Sequence, residues 1–331
     1  MSNETILLGR AEVLAALTPA RCIDSVESAF RKAALGEVPA PGILGMPAPT
    51  GGFHVKAGLL IDDAPYFAAK VNANFPGNPA RFGLPTIQGA VLLFHAGDGR
   101  LLAVIDSMAL TALRTAAATA IAARYLARSS SATLLICGCG AQALEQLRAL
   151  SCVAPVGKVL AFDVDPAKVT ALAAEAGRAV GVSIEAVGNL DAAMRASDII
   201  VTCTPARQSF VDATMVSPGT FIAAVGADHA DKQELAAELM AVAKVVTDST
   251  EQAARIGDLH HAIVAGTMQV ESVHAELGEL VAGLKPGRTN DAEITIFDST
   301  GTGLQDVAAA IAVYRSVLHN GRGSIRSFVF A

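Results

Sequence analysis

The chain has 331 residues, 52% of them hydrophobic and 17% charged, with a formal net charge of −6. That length suits two domains, and the apolar share excludes disorder for the bulk of the chain. The acidic balance argues against a nucleic-acid partner; no apolar run fits a membrane span and no N-terminal signal pattern occurs, so a cytoplasmic location is expected.

In chain order, "TPARCIDSVESAFRKAALG" sets Cys22, Ile23, Val26 and Phe30 at helical spacing, with Thr18-Pro19 as a start and Gly36 as a stop. "EVPAPGILGMPAPTGGF", rich in proline and glycine, reads as loop. "HVKAGLLI", "YFAAKVNAN" and "GAVLLFHAGDGRLLAVID" read as strands, the last folded back at Gly97-Asp98-Gly99. The alanine-rich, breaker-free "SMALTALRTAAATAIAARYLAR" is expected to be one long helix. From Ser131 onward the short apolar runs "TLLIC", "KVLAFD", "SIEAV", "DIIVTCT", "GTFIAAVG", "KVVTD" and "AEITIFD" alternate with helical segments at 140–150, 166–178, 189–196 and 233–243. Such alternation predicts a parallel sheet covered on both faces. "GLQDVAAAIAVYRSVLHNG" is a final helix, stopped by Gly321, that returns to the first domain.

Gly138-Cys-Gly140-Ala-Gln-Ala143 fits the dinucleotide-binding spacing and lies between a predicted strand and a predicted helix. Gly138 permits the tight turn, Gly140 lets the backbone approach a pyrophosphate, and Ala143 allows close helix–strand packing. The helix N–H groups would hold the anion. Asp163 ends the next strand, 25 residues after Gly138. A carboxylate there accepts hydrogen bonds from ribose hydroxyls and repels a 2′-phosphate, so NAD(H) is expected in preference to NADP(H).

Arg114 and Thr115 lie in the long apolar helix. A guanidinium in such company needs a partner, and a substrate carboxylate held bidentately would serve, an ordinary surface arginine being the alternative. Five cysteines, Cys22, Cys137, Cys139, Cys152 and Cys203, are odd in number and scattered through apolar segments, so free buried thiols are expected. Cys137 and Cys139 lack further ligands at metal spacing, and the adjacent His260 and His261 make a poor metal pair, so no metal is expected. The two histidines read as surface or domain-contact residues.

Six ordered stretches, "YFAAKVNANFPGN", "GLPTIQGAVLLF", "LTALRTAAATA", "GCGAQA", "AVGADHADKQEL" and "IFDSTGTGLQDVAAA", together resemble the ornithine cyclodeaminase/mu-crystallin family, in order and over nearly the whole chain. The resemblance implies NAD(P) held between a Rossmann domain and a dimerising domain. The expected class is therefore α/β: a Rossmann-type doubly wound parallel sheet over 129–302, with a discontinuous α+β substrate-binding and dimerisation domain over 1–128 completed by 303–331. Lys70 and Arg114 would bind the substrate carboxylate. Thr86, Arg114, Thr115, Gly138, Gly140, Ala141, Gln142, Asp163, Thr202, Thr204, Val225, Gly226, Lys232 and Ser299 would contact the cofactor. Asp228 matches an acidic residue near the substrate amine, and Lys70 or Asp228 would move the proton. Read without the family, Asp228 is a loop carboxylate capping a helix that starts near Lys232.

Two departures qualify the match. Many members carry an arginine where this chain has Pro41, and His54 or Lys56 would have to compensate in binding the substrate. The glutamate that holds the distal amine of ornithine has no counterpart in "GGFHVKAGLL". The expected function is therefore an NADH-dependent reductase of a cyclic or open-chain imino acid, giving an L-amino acid, or the reverse amino acid dehydrogenase. The alternatives are an ornithine or lysine cyclodeaminase using NAD catalytically, and an NAD(P)H-dependent binding protein of mu-crystallin type. The expected assembly is a homodimer acting on a small amino or imino acid.

Overall fold

The computed structural model describes residues 4–321 and 326–328. It divides into two compact units, Met1–Arg114 with Thr302–Ala331, and Thr115–Gly301. Of the 303–331 segment, 322–325 and 329–331 lie outside the described residues.

The first unit holds β1 (Thr5–Leu8), β2 (Gly42–Ala48), β3 (Gly51–Ile61), β4 (Pro65–Asn74), β5 (Ile87–His95) and β6 (Leu101–Asp106). With the short strand Ser327–Phe328 they form one sheet, in the order Ser327–Phe328, β1, β6, β5, β4, β3, β2. From β2 to β6 the strands pair antiparallel as a meander, and β1 joins β6 in parallel. The β5–β6 turn falls at Gly97-Asp98-Gly99, where Gly99 takes φ 75° and its N–H donates to His95 O at 2.8 Å.

The stretch read as loop departs from that expectation, since Gly42–Ala48 is a strand and β3 already begins at Gly51. Its proline and glycines are tolerated because β2 is an edge, paired on one side only, from Gly42↔Ala57 to Ala48↔Gly51. Edge position also leaves Ile43, Leu44 and Met46 exposed.

The Pro19–Ala34 helix starts as its sequence predicts. Thr18 accepts from Arg21 N, proline occupies the first turn, and Cys22, Ile23, Val26, Ala29 and Phe30 are buried. The Gly303–Asn320 helix packs on it and on β3 and β4. Two glycines set that last approach. A Cβ on Gly303 would lie 2.3 Å from Ala57 O, and one on Gly58 would lie 3.0 Å from Gly303 C. The first turn of the helix therefore runs against bare strand backbone, which brings Asp306 to β4.

The second unit is an all-parallel sheet of β7 (Thr133–Cys137), β8 (Lys158–Phe162), β9 (Ile184–Ala186), β10 (Ile199–Thr202), β11 (Phe221–Ala224), β12 (Lys244–Thr247), β13 (Ala275–Glu276) and β14 (Thr295–Asp298). Its order is β13-β12-β14-β11-β10-β7-β8-β9. Read from β9 to β14, this is the 3-2-1-4-5-6 order of the Rossmann fold, extended by β12 and β13. The winding reverses between β7 and β10, and ligands of such sheets sit at the carboxyl ends of the strands at that point.

The helix expected over 233–243 is shorter than predicted, Ala237–Val242. Residues before it run extended: Leu235 bridges Val211 in parallel, and Phe210 N donates to Glu234 O at 3.0 Å. No helix therefore begins near Lys232 for Asp228 to cap. No helix among the described residues is long and apolar enough to cross a membrane.

Candidate active site

The glycine turn leaves β7 directly. Gly138 takes φ 97°, and a Cβ there would come within 2.8 Å of Cys203 O and 2.9 Å of Thr204 Cγ2, so only glycine fits against the end of β10. Gly140 is the opposite case: a Cβ would meet nothing within 4 Å, and the room beside the turn is open. The Ala143–Leu150 helix starts immediately after it, and the Oε1 of Gln142 is buried without a partner. Asp163 closes the turn from β8, its Oδ2 accepting from Cys139 N at 2.8 Å and its Oδ1 from Asp165 N at 2.9 Å. Each carboxylate oxygen keeps a second acceptor site. An open cradle, an orphaned amide oxygen, a helix N-terminus and an acceptor carboxylate fit a dinucleotide.

The neighbouring thiols keep their protons at neutral pH. Burial, and then the charge of Asp163, push the Cys139 thiol up to about 11. Burial, and then the charge of Glu234, push Cys203 well above its ordinary value. Cys152 is exposed and Cys203 only half-buried, against the expectation that all five are buried. Among the described residues no group of three or more His, Cys, Asp or Glu is arranged to hold a metal ion.

In the first unit, Lys70 and Arg114 converge on a carboxylate. Lys70 Nζ lies 2.9 Å from both Oδ1 and Oδ2 of Asp306. Arg114 donates through Nε to Oδ1 of Asp306 at 3.0 Å and through Nη1 to Gln305 Oε1 at 2.8 Å. All three charged residues are at most 4% exposed. Lys56 stands directly opposite Lys70 in the β3–β4 register, and His54 opposite Asn72. Burial, and then the charges of Arg114 and Lys56, bring the Lys70 ammonium down to about 7 although Asp306 opposes them. Burial pushes the Asp306 carboxyl up, but Lys70 and Arg114 more than offset it and hold it below the ordinary range.

Asp228 lies in the segment after β11. It accepts an ion pair from Lys232 Nζ at 2.6 Å and is close to half exposed. His261 Nε2 lies 2.9 Å from Lys232 O, so the second of the paired histidines braces this segment. The base of the segment carries Val225, whose N–H donates to Thr202 O at 2.9 Å, and Gly226.

The model of the ornithine cyclodeaminase/mu-crystallin family matches residues 3–321. The chain belongs to that family. It is 40% identical to the alanine dehydrogenase of Archaeoglobus fulgidus, over 97% of this chain and 98% of that one. A solved archaeal alanine dehydrogenase dimer with bound NAD superposes with a TM-score of 0.93 at 39% identity, over 99% of this chain and 100% of that chain. The Δ1-pyrroline-2-carboxylate reductase of Thermococcus litoralis, solved with NADH and L-proline, does so with a TM-score of 0.90 at 33% identity, over 96% and 98%.

In this family member the residues named from sequence fall into distinct groups. Thr202 is the last residue of β10, and Gly138, Gly140, Ala141, Gln142, Asp163, Thr204, Val225, Gly226, Asp228 and Lys232 all follow strand ends on the carboxyl edge of the parallel sheet. Ser299 shares that edge, but its hydroxyl donates to Asp248 Oδ2 at 3.3 Å. His54, Lys56, Lys70 and Arg114 belong to the first unit, while Thr115 is buried in the helix Ser107–Leu126. Thr86 is not brought to Lys70. It precedes β5, whereas Lys70 pairs with Val91, roughly 16 Å along the strand at 3.3 Å per residue.

Sequence reading missed Asp306, the shared partner of Lys70 and Arg114. Its signal was a polar pair, Gln305-Asp306, in a helix turn otherwise apolar at Leu304, Val307 and Ala308. It also missed a belt of buried acids, Glu234, Asp248, Asp258 and Asp298, at the sheet's carboxyl edge. Asp258 Oδ2 and Asp298 Oδ1 are buried without partners. Burial, reinforced by neighbouring carboxylates, pushes both carboxyls up, Asp298 to about 7.

Proposed function

We propose that this chain is an NADH-dependent oxidoreductase that interconverts an imino acid and its L-amino acid. The observation that carries the reading is the Lys70–Arg114–Asp306 cluster. Two buried cations share one carboxylate, so with Lys70 protonated one positive charge is left over. A buried excess charge is costly, and a substrate carboxylate would neutralise it.

Reduction of an imino acid adds hydride at the α carbon and a proton at nitrogen. Nicotinamide, when bound, supplies the hydride. Arg114 fixes the substrate carboxylate and so orients the α carbon, which is catalysis by positioning. Lys70, brought to about 7, is suited to hold or release a proton near neutral pH. Asp228, at the base-segment's exposed end, is the second candidate for the proton at nitrogen. His54 and Lys56 are the groups of β3 available to take the place of the arginine absent at Pro41.

Asp163 supports a preference for NAD(H) over NADP(H), since its charge repels a 2′-phosphate. The exposed Ile43, Leu44 and Met46 of edge strand β2 support a homodimer, because an uncovered apolar edge is a liability in a monomer. A nicotinamide-dependent enzyme with free thiols suits the reducing cytoplasm.

Purified protein mixed with NADH and a panel of imino acids, or oxo acids with ammonia, tests the reading through loss of NADH absorbance. Absence of loss across the panel would overturn it. Ammonia release from ornithine or lysine without net NADH change would instead mark a cyclodeaminase, and intact NADH binding with inactivity would mark a binding protein.

A further inference from the structure

Glu234 is a buried carboxylate with no place in the chemistry above, yet its hydrogen bonds are saturated from three directions. Its Oε1 accepts from Thr204 N and Thr204 Oγ1, both at 2.7 Å. Its Oε2 accepts from Thr202 Oγ1 at 2.7 Å and from Gly226 N at 2.9 Å. Its own main chain is held too: Glu234 N and Leu235 N donate to Asp258 Oδ1 at 2.8 and 2.9 Å. Nothing larger than glycine fits at 226, where a Cβ would lie 2.4 Å from Thr204 O and 2.5 Å from the Glu234 carboxyl carbon.

We propose that Glu234 is a positioning residue: it locks the exits of β10 and β11 together and so fixes the direction in which the chain leaves the sheet towards Asp228. Asp228 begins two residues beyond the locked Gly226, and its N–H donates to Gly226 O at 3.1 Å. The segment returns through Lys232, whose ion pair holds the Asp228 carboxylate, directly into Glu234. Asp228 therefore sits on a short loop tied at both ends to one carboxylate. The role requires an acceptor at each of the two oxygens. Each oxygen receives one backbone N–H, and neither of those donors can be reversed, so an amide in place of the carboxylate sets N–H against N–H at one end.

The inference rests on the proposed function for its catalytic consequence but not for its structural one, and the two are measured separately. In the full-length protein, Glu234→Gln is compared with wild type by hydrogen exchange of peptides covering 225–233 and by steady-state NADH oxidation with an imino acid. Exchange in 225–233 is expected to rise about tenfold, the equivalent of one lost hydrogen bond, while the peptides of β7 and β11 are unchanged. The kcat is expected to fall about ten- to a hundredfold through misplacement of Asp228, with KM for the imino acid, whose carboxylate is assigned to Lys70 and Arg114, unchanged within about threefold. General loosening of the fold would instead raise exchange in the strands and KM together.

Unchanged exchange in 225–233 overturns the proposal, as does raised exchange with wild-type kcat. If wild type lacks reductase activity the proposed function fails, and the exchange contrast alone decides this inference. Should Glu234→Gln not fold, Thr202→Val removes a single donor and is expected to raise exchange in the same peptide by a smaller factor. No rise there overturns the proposal equally.

Discussion

Lys70 on β4 and Asp306 on the Gly303–Asn320 helix meet with the ammonium 2.9 Å from each carboxylate oxygen, across 236 residues of sequence. Arg114 shares the same carboxylate, so the cluster is a three-charge unit rather than a pair. Removing its single negative member is expected to be the most damaging change in the first unit. Asp306→Asn leaves two buried cations facing one another and should cost about 3–5 kcal/mol of stability. Urea unfolding checks this, and a loss under about 1 kcal/mol would show that the cluster is solvated.

The binding of small carboxylates should depend on pH through Lys70. With its ammonium at about 7 in the free protein, the site carries excess positive charge below that value and is balanced by Asp306 above it. Affinity for an unreactive oxo acid is expected to be greatest below about pH 7 and to weaken by up to about tenfold per unit above it. Calorimetry across that range measures it. In Lys70→Met the slope should vanish, and a slope that persists would assign the titration to another group.

Stability should fall as the medium becomes more alkaline through the range set by Asp298. Its carboxyl is raised from 3.8 to about 7 in the folded chain by burial and neighbouring carboxylates. The folded state therefore keeps a proton that the unfolded chain has released. This contribution is complete below the unfolded value and is lost as pH rises through about 7. Melting temperature against pH should show the decline, and Asp298→Asn, which cannot ionise, should flatten it.

The two glycines of the turn should respond oppositely to a methyl group. Gly138→Ala strains a positive φ and meets Cys203 O at 2.8 Å, so a loss of about 1–3 kcal/mol in stability is expected. A Cβ at position 140 meets nothing within 4 Å in the free protein, and Gly140→Val projects into that room. It should melt within a few degrees of wild type yet lose NADH binding at least about tenfold by fluorescence titration, as its side chain takes the room a pyrophosphate needs. Wild-type affinity in that variant would remove the dinucleotide from this turn.

Asp163→Ser should shift the ratio of kcat/KM for NADPH to that for NADH upward by at least about tenfold, since the repelling charge and the ribose acceptor go together. NADH affinity should also fall, because the Asp163–Cys139 bond of 2.8 Å is lost. An unchanged ratio would mean that another group reads the ribose.

Legibility in the sequence followed the range of the interactions. The parallel sheet could be read because its strands are buried on both faces and so are continuously apolar, and the glycine spacing placed the turn at the winding reversal. Strand β2 was hidden because edge pairing tolerates the Gly and Pro that signal loop, and β1 because four residues carry no period. Lys70 came from resemblance alone, Arg114 also from the apolar helix that leaves a guanidinium in need of a partner. Their partner Asp306 could not, since a contact made across the whole chain leaves no local spacing. Glu234 was hidden for a different reason: an acid between Gln233 and Leu235 looks like an ordinary solvated residue until four donors are seen to converge on it.

The contact between Gly58 and Gly303 has a practical outcome for anyone hoping to broaden the substrate range by random mutagenesis. Neither position offers a side chain to any reactant, yet a methyl on Gly303 would lie 2.3 Å from Ala57 O and push the closing helix off its strand, carrying Asp306 away with it, while one on Gly58, 3.0 Å from Gly303 C, would have to be absorbed by a small shift of the helix backbone. Such a screen should return Gly303 as a silent-looking position that accepts no replacement and Gly58 as one that accepts few, and a library designed around the cluster does best to leave both codons untouched.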